Sequence, residues 1–155
     1  MGKLSLVNTL SVYLVEPSAV QAKFIAGELK AVGIARIKVF ESALAVLKEM
    51  KTARPSVVIS ALYLPDMSGT ELVYAMRDDP QLADVAFILI SSETRPQVLE
   101  PVRQSGACGI LPKPFSDKQL KKVLSTTLDY LMTDDTLVSE HIELEDLTVL
   151  IVDDS

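Results

Sequence analysis

The sequence has few of the residues that make disulfides, membrane spans or targeting signals. Cys108 is the only cysteine among 155 residues, so an internal disulfide and a cysteine-rich metal site are excluded. No apolar run approaches the roughly 18 residues that a membrane-spanning helix needs. Residues 1–8 lack the apolar core and the cleavage pattern of a signal peptide. These absences predict a cytoplasmic protein that contacts no membrane.

Basic residues are missing from the end of the chain. All 15 Lys and Arg lie in residues 1–132, together with 13 Asp and Glu, which gives this part a charge of +2. Residues 133–155 hold the other eight acidic residues, so the net charge of −6 belongs to the tail. Because the larger part carries little charge, it has no electrostatic footprint for nucleic acid.

Short apolar runs alternate with helical patterns along the chain. A hydrophobic content of 48% is enough to bury one core in a domain of this size. Alternation of strands and helices favours right-handed crossovers and a parallel sheet covered on both faces. We therefore predict an α/β fold, a doubly wound five-stranded parallel sheet. The predicted strands are 12–15, 36–39 (a half-exposed edge), 57–59, 86–90 and 107–111.

The predicted helices have recognisable starts and apolar stripes. Ser18 and Gln21, and again Ser116 and Gln119, have the spacing of a capping box. Pro101 falls inside the fourth helical pattern, so we expect a kink or a late start there. The side chains expected to face the core are Val20, Phe24, Ile25, Leu29 and Val32 in the first helix, Leu44, Leu47 and Met50 in the second, Leu72, Val73 and Met76 in the third, and Leu120, Val123, Leu124, Thr127, Leu128 and Leu131 in the last.

The carboxyl ends of the predicted strands are where a site is expected. In open α/β sheets, ligands bind at this edge. Glu16, Ala61, Ser91 and Lys113 stand at these ends. The turn after the third strand, residues 64–69, combines a proline, an aspartate and a glycine that can adopt positive φ.

The stretch 56–69 resembles the third strand and following loop of the receiver domain of two-component response regulators. That family has apolar residues, an aspartate, three mostly apolar residues and then Pro-Asp-Met-x-Gly, and this chain has Pro-Asp-Met-Ser-Gly at 65–69. The resemblance covers about residues 10–131 and implies the flavodoxin-like receiver fold. It also implies that Ala61 occupies the position of the phosphate-accepting aspartate. A methyl group cannot act as a nucleophile.

The resemblance implies roles for the other strand ends. In receivers, an acidic pair after the first strand and the acceptor aspartate hold Mg²⁺, while a Ser or Thr and a Lys contact the phosphoryl group. Here the acidic pair is reduced to Glu16 and Pro17, whereas Ser91 and Lys113 match the hydroxyl and the lysine. Mg²⁺ is usually held through one or two carboxylates and substrate phosphates. We expect Mg²⁺ binding to be weak or absent, and no other cofactor.

The retained residues also have purely structural interpretations. Lys113, lacking an acceptor partner, is expected to pair with Glu16 as a structural ion bridge. Ser91 would satisfy backbone groups at the end of its strand. The peptide between Lys113 and Pro114 resembles the family's cis peptide, and X–Pro bonds have a weak trans preference.

Ala61 has three alternative interpretations. It could be an engineered replacement of the acceptor, but the departure at 16–17 is a second loss that one replacement does not explain. Ser60 could accept phosphate instead, although alternation along the strand points it to the opposite face. The third alternative is a flavin-binding domain, but the loop 16–19 lacks the glycine or hydroxyl run of a phosphate cradle.

The tail divides into two segments. Residues 133–146 are predicted to be an acidic linker, in which His141 has no partner for catalysis or metal binding. Residues 147–155 resemble the first strand of a second receiver, ending in its acidic pair Asp153 and Asp154. An isolated apolar strand exposes unpaired backbone groups, so this segment predicts a homodimer formed by strand exchange.

The resulting hypothesis is a non-enzymatic pseudo-receiver, residues 1–132, within a multi-domain response regulator. It would act through protein contacts in a phosphorelay. The expected partners are a histidine kinase, a phosphotransfer protein or a neighbouring receiver domain. The alternative function is a phosphorylatable receiver with a non-standard acceptor.

Overall fold

A computed structural model describes residues 8–106 and 108–132 of the chain. In this part, five parallel strands alternate with five helices, and the strands are ordered β2-β1-β3-β4-β5. The predicted α/β fold is therefore confirmed. The elements are β1 (Ser11–Val15), α1 (Ala19–Ala31), β2 (Arg36–Phe40), α2 (Ala43–Met50), β3 (Val57–Ala61), α3 (Gly69–Asp78), β4 (Ala86–Ser91), α4 (Pro96–Gln104), β5 (Cys108–Pro112) and α5 (Asp117–Met132).

The sheet separates two apolar clusters because successive side chains of a strand point to opposite faces. On one face, Leu14 and Ile59 pack with buried residues of α1 and α5. On the other face, Val58 and Phe87 pack with α2, α3 and α4. β3 and β4 are buried on both faces, which explains their unbroken apolar sequences. β2 is an edge strand and is largely exposed, as its alternating sequence predicted.

The first two helices bury part of the predicted face, including Ile25, Leu29 and Met50, but three predicted residues are exposed instead. In α1, Val20 and Phe24 are 77% and 56% exposed, and the buried residues include Ala22. In α2, Leu44 is 62% exposed, while Ala43 is fully buried. In both helices, a small alanine faces the sheet and lets the helix approach it closely. A pattern of large apolar side chains does not indicate that a small alanine faces the sheet.

The third and fifth helices match the prediction. Leu72, Val73 and Met76 of α3 are buried. In α5, the predicted stripe faces the core, with Leu120 and Leu124 buried and Val123 packed against them. Within residues 8–106 and 108–132, no helix has the length and apolar content needed to cross a membrane.

Prolines and glycines define several helix ends. α1 ends in a Schellman motif, in which Gly33 adopts φ 111° and the amide of Ile34 donates to the carbonyl of Leu29.

The expected late start of α4 is wrong, because this helix begins at Pro96 and continues through Pro101. Burial of side chains on both sides of Pro101, at Leu99 and Val102, offsets the hydrogen bond that a proline removes.

Candidate functional site

The carboxyl ends of four strands surround one open cleft of about 320 Å³. Glu16 follows β1, Ala61 ends β3, Ser91 ends β4 and Lys113 follows β5. All four predicted residues line the cleft, so the topology brings them together as expected. Pro17 is exposed and does not line it. The other lining residues are Leu62, Tyr63, Ile90, Ser92, Glu93 and Thr94.

Glu16 has a buried carboxylate with a local role. The residue is only 6% exposed, and its Oε2 accepts a hydrogen bond of 3.0 Å from the backbone amide of Ser18. The Ser18 side chain in turn accepts from the amide of Gln21 and caps α1. The capping box predicted at Ser18 and Gln21 is therefore only half formed. The backbone amide of Ser18 donates to Glu16 and not to the side chain of Gln21.

Lys113 does not pair with Glu16, so the predicted ion bridge is wrong. In the part of the chain that the structure describes, no ion pair of 4.0 Å or less joins these two residues. The Nζ of Lys113 instead donates to Oε1 of Gln21 at 3.5 Å. The peptide between Lys113 and Pro114 is cis, as the resemblance implied.

Ser91 satisfies backbone groups at the end of β4. Its Oγ accepts from the amide of Glu93 at 2.9 Å, and its carbonyl accepts from the amide of Lys113 at 3.0 Å. Ser60 is fully buried, and its hydroxyl donates to the carbonyl of Ala61. Since Ser60 does not line the cleft, it is poorly placed as an alternative acceptor.

Glu93 is a charged residue of the cleft that sequence reasoning missed. Its carboxylate accepts two hydrogen bonds from the Arg95 guanidinium, at 2.7 and 3.0 Å, and one from the Arg95 amide at 2.9 Å. These bonds lower the pKa of Glu93 to about 2. The only sequence signal was an acid two residues before an arginine just after a buried strand. That signal is too common to identify a site.

The donor set does not fit a magnesium ion. Mg²⁺ demands oxygen ligands in near-octahedral geometry, supplied largely by carboxylates and phosphates. Glu16 offers one carboxylate, Ala61 offers no ligand, and Glu93 is already bound by Arg95. Within the described residues, no group of three or more His, Cys, Asp or Glu could hold a metal. The acids at 153–154 lie outside the described residues.

The loop after β3 is held in place by close backbone contacts. The amide of Gly69 donates to the carbonyl of Leu62 at 2.6 Å. A Cβ on Gly69 would lie 2.6 Å from the carbonyl oxygen of Ala61. This glycine is therefore required by the close approach of two backbone segments, and not by a positive φ as the sequence suggested.

Asp66 connects the same loop to α2. Its two carboxylate oxygens accept from the amides of Ala43 and Leu44, at 3.0 and 2.8 Å. These are the first two amides of the helix, which have no partner within it. The hydrogen bond from Leu44 is the main cause of a lowered pKa at Asp66. Asp66, which was predicted only as a turn former, therefore fixes the position of a neighbouring helix.

The chain is similar to known receivers over most of its length. A sequence model of the response regulator receiver domain matches residues 12–125. An uncharacterized 76.5 kDa protein of Thiocystis violacea is 27% identical over 121 residues, covering 78% of this chain and 17% of that protein. A probable chemotaxis protein CheY of Rhizobium etli is 23% identical over 128 residues, covering 83% of this chain and 99% of that protein.

Solved structures have the same fold. The chemotaxis response regulator CheY4 of Vibrio cholerae superimposes with a TM-score of 0.68 and 27% sequence identity, over 76% of this chain and 98% of that one. The chain thus spans a small part of the Thiocystis protein and nearly the whole of the two CheY proteins.

Proposed function

The chain belongs to the response regulator receiver family, and on this premise we propose that it is a receiver that accepts no phosphoryl group. It would act in phosphorelay signalling through contacts with other proteins, without enzymatic activity. The observation that carries the proposal is the methyl side chain of Ala61, at the end of β3 and inside the cleft. An alkyl group offers no lone pair to attack phosphorus.

The neighbouring side chains support the same proposal. Glu16 and Glu93 are the carboxylates that line the cleft in the described chain, and Glu93 is bound by Arg95. A metal ion that neutralises phosphoryl charge would find one carboxylate without a charged partner, that of Glu16, whose Oε2 already accepts from the Ser18 amide. Ser91 accepts a backbone hydrogen bond and supports the end of β4. Glu16, Ser91 and Glu93 thus each make a hydrogen bond that needs no phosphate.

An exposed apolar patch supports action through protein contacts. Val20 and Phe24 project from α1, and the Phe24 ring lies 6.3 Å from the ring of Phe115. Large exposed apolar side chains gathered at one place are typical of interaction sites. We propose that this patch contacts a histidine kinase, a phosphotransfer protein or a neighbouring receiver. Substituting Phe24 by Ser should weaken binding to that partner protein, whereas Val39→Ser on the β2 edge should not.

Acetyl phosphate with Mg²⁺ tests the central proposal. Intact mass spectrometry of the full chain should detect no added phosphoryl group, under conditions in which a phosphorylatable receiver is modified. A stable mass increase of one phosphoryl group would defeat the proposal. Peptide mapping would then identify the acceptor and would favour the alternative, a receiver with a non-standard acceptor such as Ser91.

Two variants separate a degenerate site from an intact site with a replaced acceptor. If degeneration affected two places, Ala61→Asp alone should stay unmodified, and Ala61→Asp combined with Pro17→Asp should gain the phosphoryl group. Modification of the single variant would mean that the rest of the site is competent. That result would support an engineered replacement at position 61.

The second proposed contact is pairing of two chains through residues 147–155. This segment lies outside the described residues, and the proposal rests on its sequence alone. Light scattering coupled to size exclusion should give a dimer mass that falls to that of a monomer in Leu150→Asp. A monomeric parent chain would rule the pairing out.

A further inference from the structure

The outer face of α5 carries the densest basic cluster of the sequence. Lys118, Lys121 and Lys122 are all exposed, and their spacing of three and four residues places them on neighbouring positions of the helix surface. Within the described part of the chain, none of them forms an ion pair with a carboxylate. Like charges this close repel each other, so an acidic occupant would stabilise this face.

A groove runs along one side of α5, and Lys122 is the member of the lysine cluster that lines it. Its volume is about 560 Å³, and it is formed by β5 and α5. Gly109 and Ile110 line the strand side, whereas Lys122, Val123 and Thr126 line the helix side. In the described part of the chain, β5 pairs with β4 alone, so its outer backbone edge is available to another segment.

The chain itself contains a segment with matching chemistry. Residues 133–146 contain six acidic residues and no Lys or Arg. Between 137 and 146, the apolar residues Leu137, Val138, Ile142 and Leu144 are interleaved with acidic ones. Such a segment can present apolar side chains to the groove and carboxylates to the lysines.

The segment is also long enough to reach the groove. It follows α5 directly, and Lys118 lies 14 residues before Met132, or about 21 Å along the helix at 1.5 Å per residue. Fourteen residues can extend to roughly 46 Å, so the segment can fold back along α5 to Lys118. Because it is tethered, its effective concentration at the groove is high.

We propose that residues 137–146 of the same chain occupy the groove between β5 and α5, with their carboxylates facing Lys122, which lines the groove, and Lys118, about one helical turn before it. The acidic segment then covers this face from within the molecule. A protein that binds there must displace it and must itself carry acidic groups toward the lysines. This inference is independent of whether the cleft accepts a phosphoryl group.

A paramagnetic label on the tail of the full chain tests the proposal. Cys108→Ser removes the native thiol, and Ser139→Cys carries a nitroxide. Cys108→Ala replaces the first change if the amide spectrum shows that Cys108→Ser is unfolded. We expect the amide signals of Ile110, Val123 and Thr126 to lose most of their intensity, while those of α1 and β2 keep theirs. High salt should restore the signals, because it screens exposed charges.

Charge reversal provides the matched control. The triple variant K118E, K121E, K122E should restore the groove signals. The variant K23E, K30E, K51E changes the net charge equally at exposed lysines, two on α1 and one directly after α2, and should leave the loss of signal unchanged. Equal effects of the two triple variants, or a signal loss spread evenly over the surface, would overturn the proposal.

Two further outcomes identify a different arrangement. Signal loss centred on α1 or β2 would place the segment elsewhere and overturn the proposal. A mixture of nitroxide-labelled chains with separate isotope-labelled chains should show no loss at the groove. A loss in that mixture would mean that a second copy supplies the segment, which also overturns the intramolecular arrangement.

Discussion

The loops that support the cleft differ from the reactive positions inside it. In the loops, Asp66 accepts two helix amides and Gly69 allows two backbone segments to meet. In the cleft, Ala61 carries a methyl group, and the side chain of Lys113 has one hydrogen bond, of 3.5 Å to Gln21, among the described residues. The supporting contacts join separate backbone segments, so we expect them to contribute more to the free energy of unfolding than the side chains inside the cleft.

The largest expected loss of stability comes from a substitution in the supporting loop. Gly69→Ala should lower the free energy of unfolding by about 1–3 kcal/mol, because the added Cβ would collide with the Ala61 carbonyl. Urea denaturation followed by circular dichroism measures this loss. Gly27→Ala is the matched control, since a Cβ there meets no atom within 4 Å and should stabilise α1 by roughly 0.5–1 kcal/mol. Equal stability of the two variants would contradict the distinction.

A smaller change in stability is expected from Glu93 at the rim of the cleft, and this change should depend on pH. The pKa of Glu93 is lowered from 4.5 to about 2 by the bonds from Arg95. The charged carboxylate therefore stabilises the fold above about pH 4.5, and this contribution disappears as the pH falls toward 2.

The variant Glu93→Gln isolates that contribution. It should be less stable than the parent chain near pH 6, and the difference should vanish near the folded pKa of about 2. Glu41→Gln, at an exposed carboxylate outside the cleft lining, is the control and should show a smaller change over the same range. A stability difference for Glu93→Gln that persisted unchanged to pH 2 would contradict the interpretation.

The smallest change in stability is expected from a substitution inside the cleft. Lys113→Gln should change the free energy of unfolding by less than about 0.5 kcal/mol, because no carboxylate pairs with this lysine in the described structure. Lys38→Gln, which breaks an ion pair of 2.7 Å with Glu49, is the comparison. A loss for Lys113→Gln as large as that for Gly69→Ala would mean that the cleft also supports the fold.

Much of the fold could be predicted because the signals are local. The apolar runs of β3 and β4 are short and continuous, and this pattern is typical of strands buried on both faces. The α5 stripe repeats at helical spacing, and it is buried as expected. Four residues of the cleft, Glu16, Ala61, Ser91 and Lys113, could be predicted as well, since carboxyl ends of parallel strands meet at one edge.

Contacts between side chains could not be predicted in the same way. Glu16 and Lys113 were correctly placed in one cleft, yet each has a different partner from the predicted one. Which partner a side chain takes depends on where the loops place it in three dimensions. Residue spacing along the chain does not contain that information.

The amino-acid sequence alone determined the order of strands and helices and the absence of a nucleophilic group at position 61, because these follow from side-chain chemistry and local periodicity. Only the tertiary structure decided that α1 buries Ala22 beside Ile25 and Leu29 and leaves Phe24 exposed. Ala22 faces the sheet and Phe24 faces outward, since a small side chain lets the helix pack closely. The rotation of a helix depends on the surface beneath it, and that surface exists only once the sheet has formed.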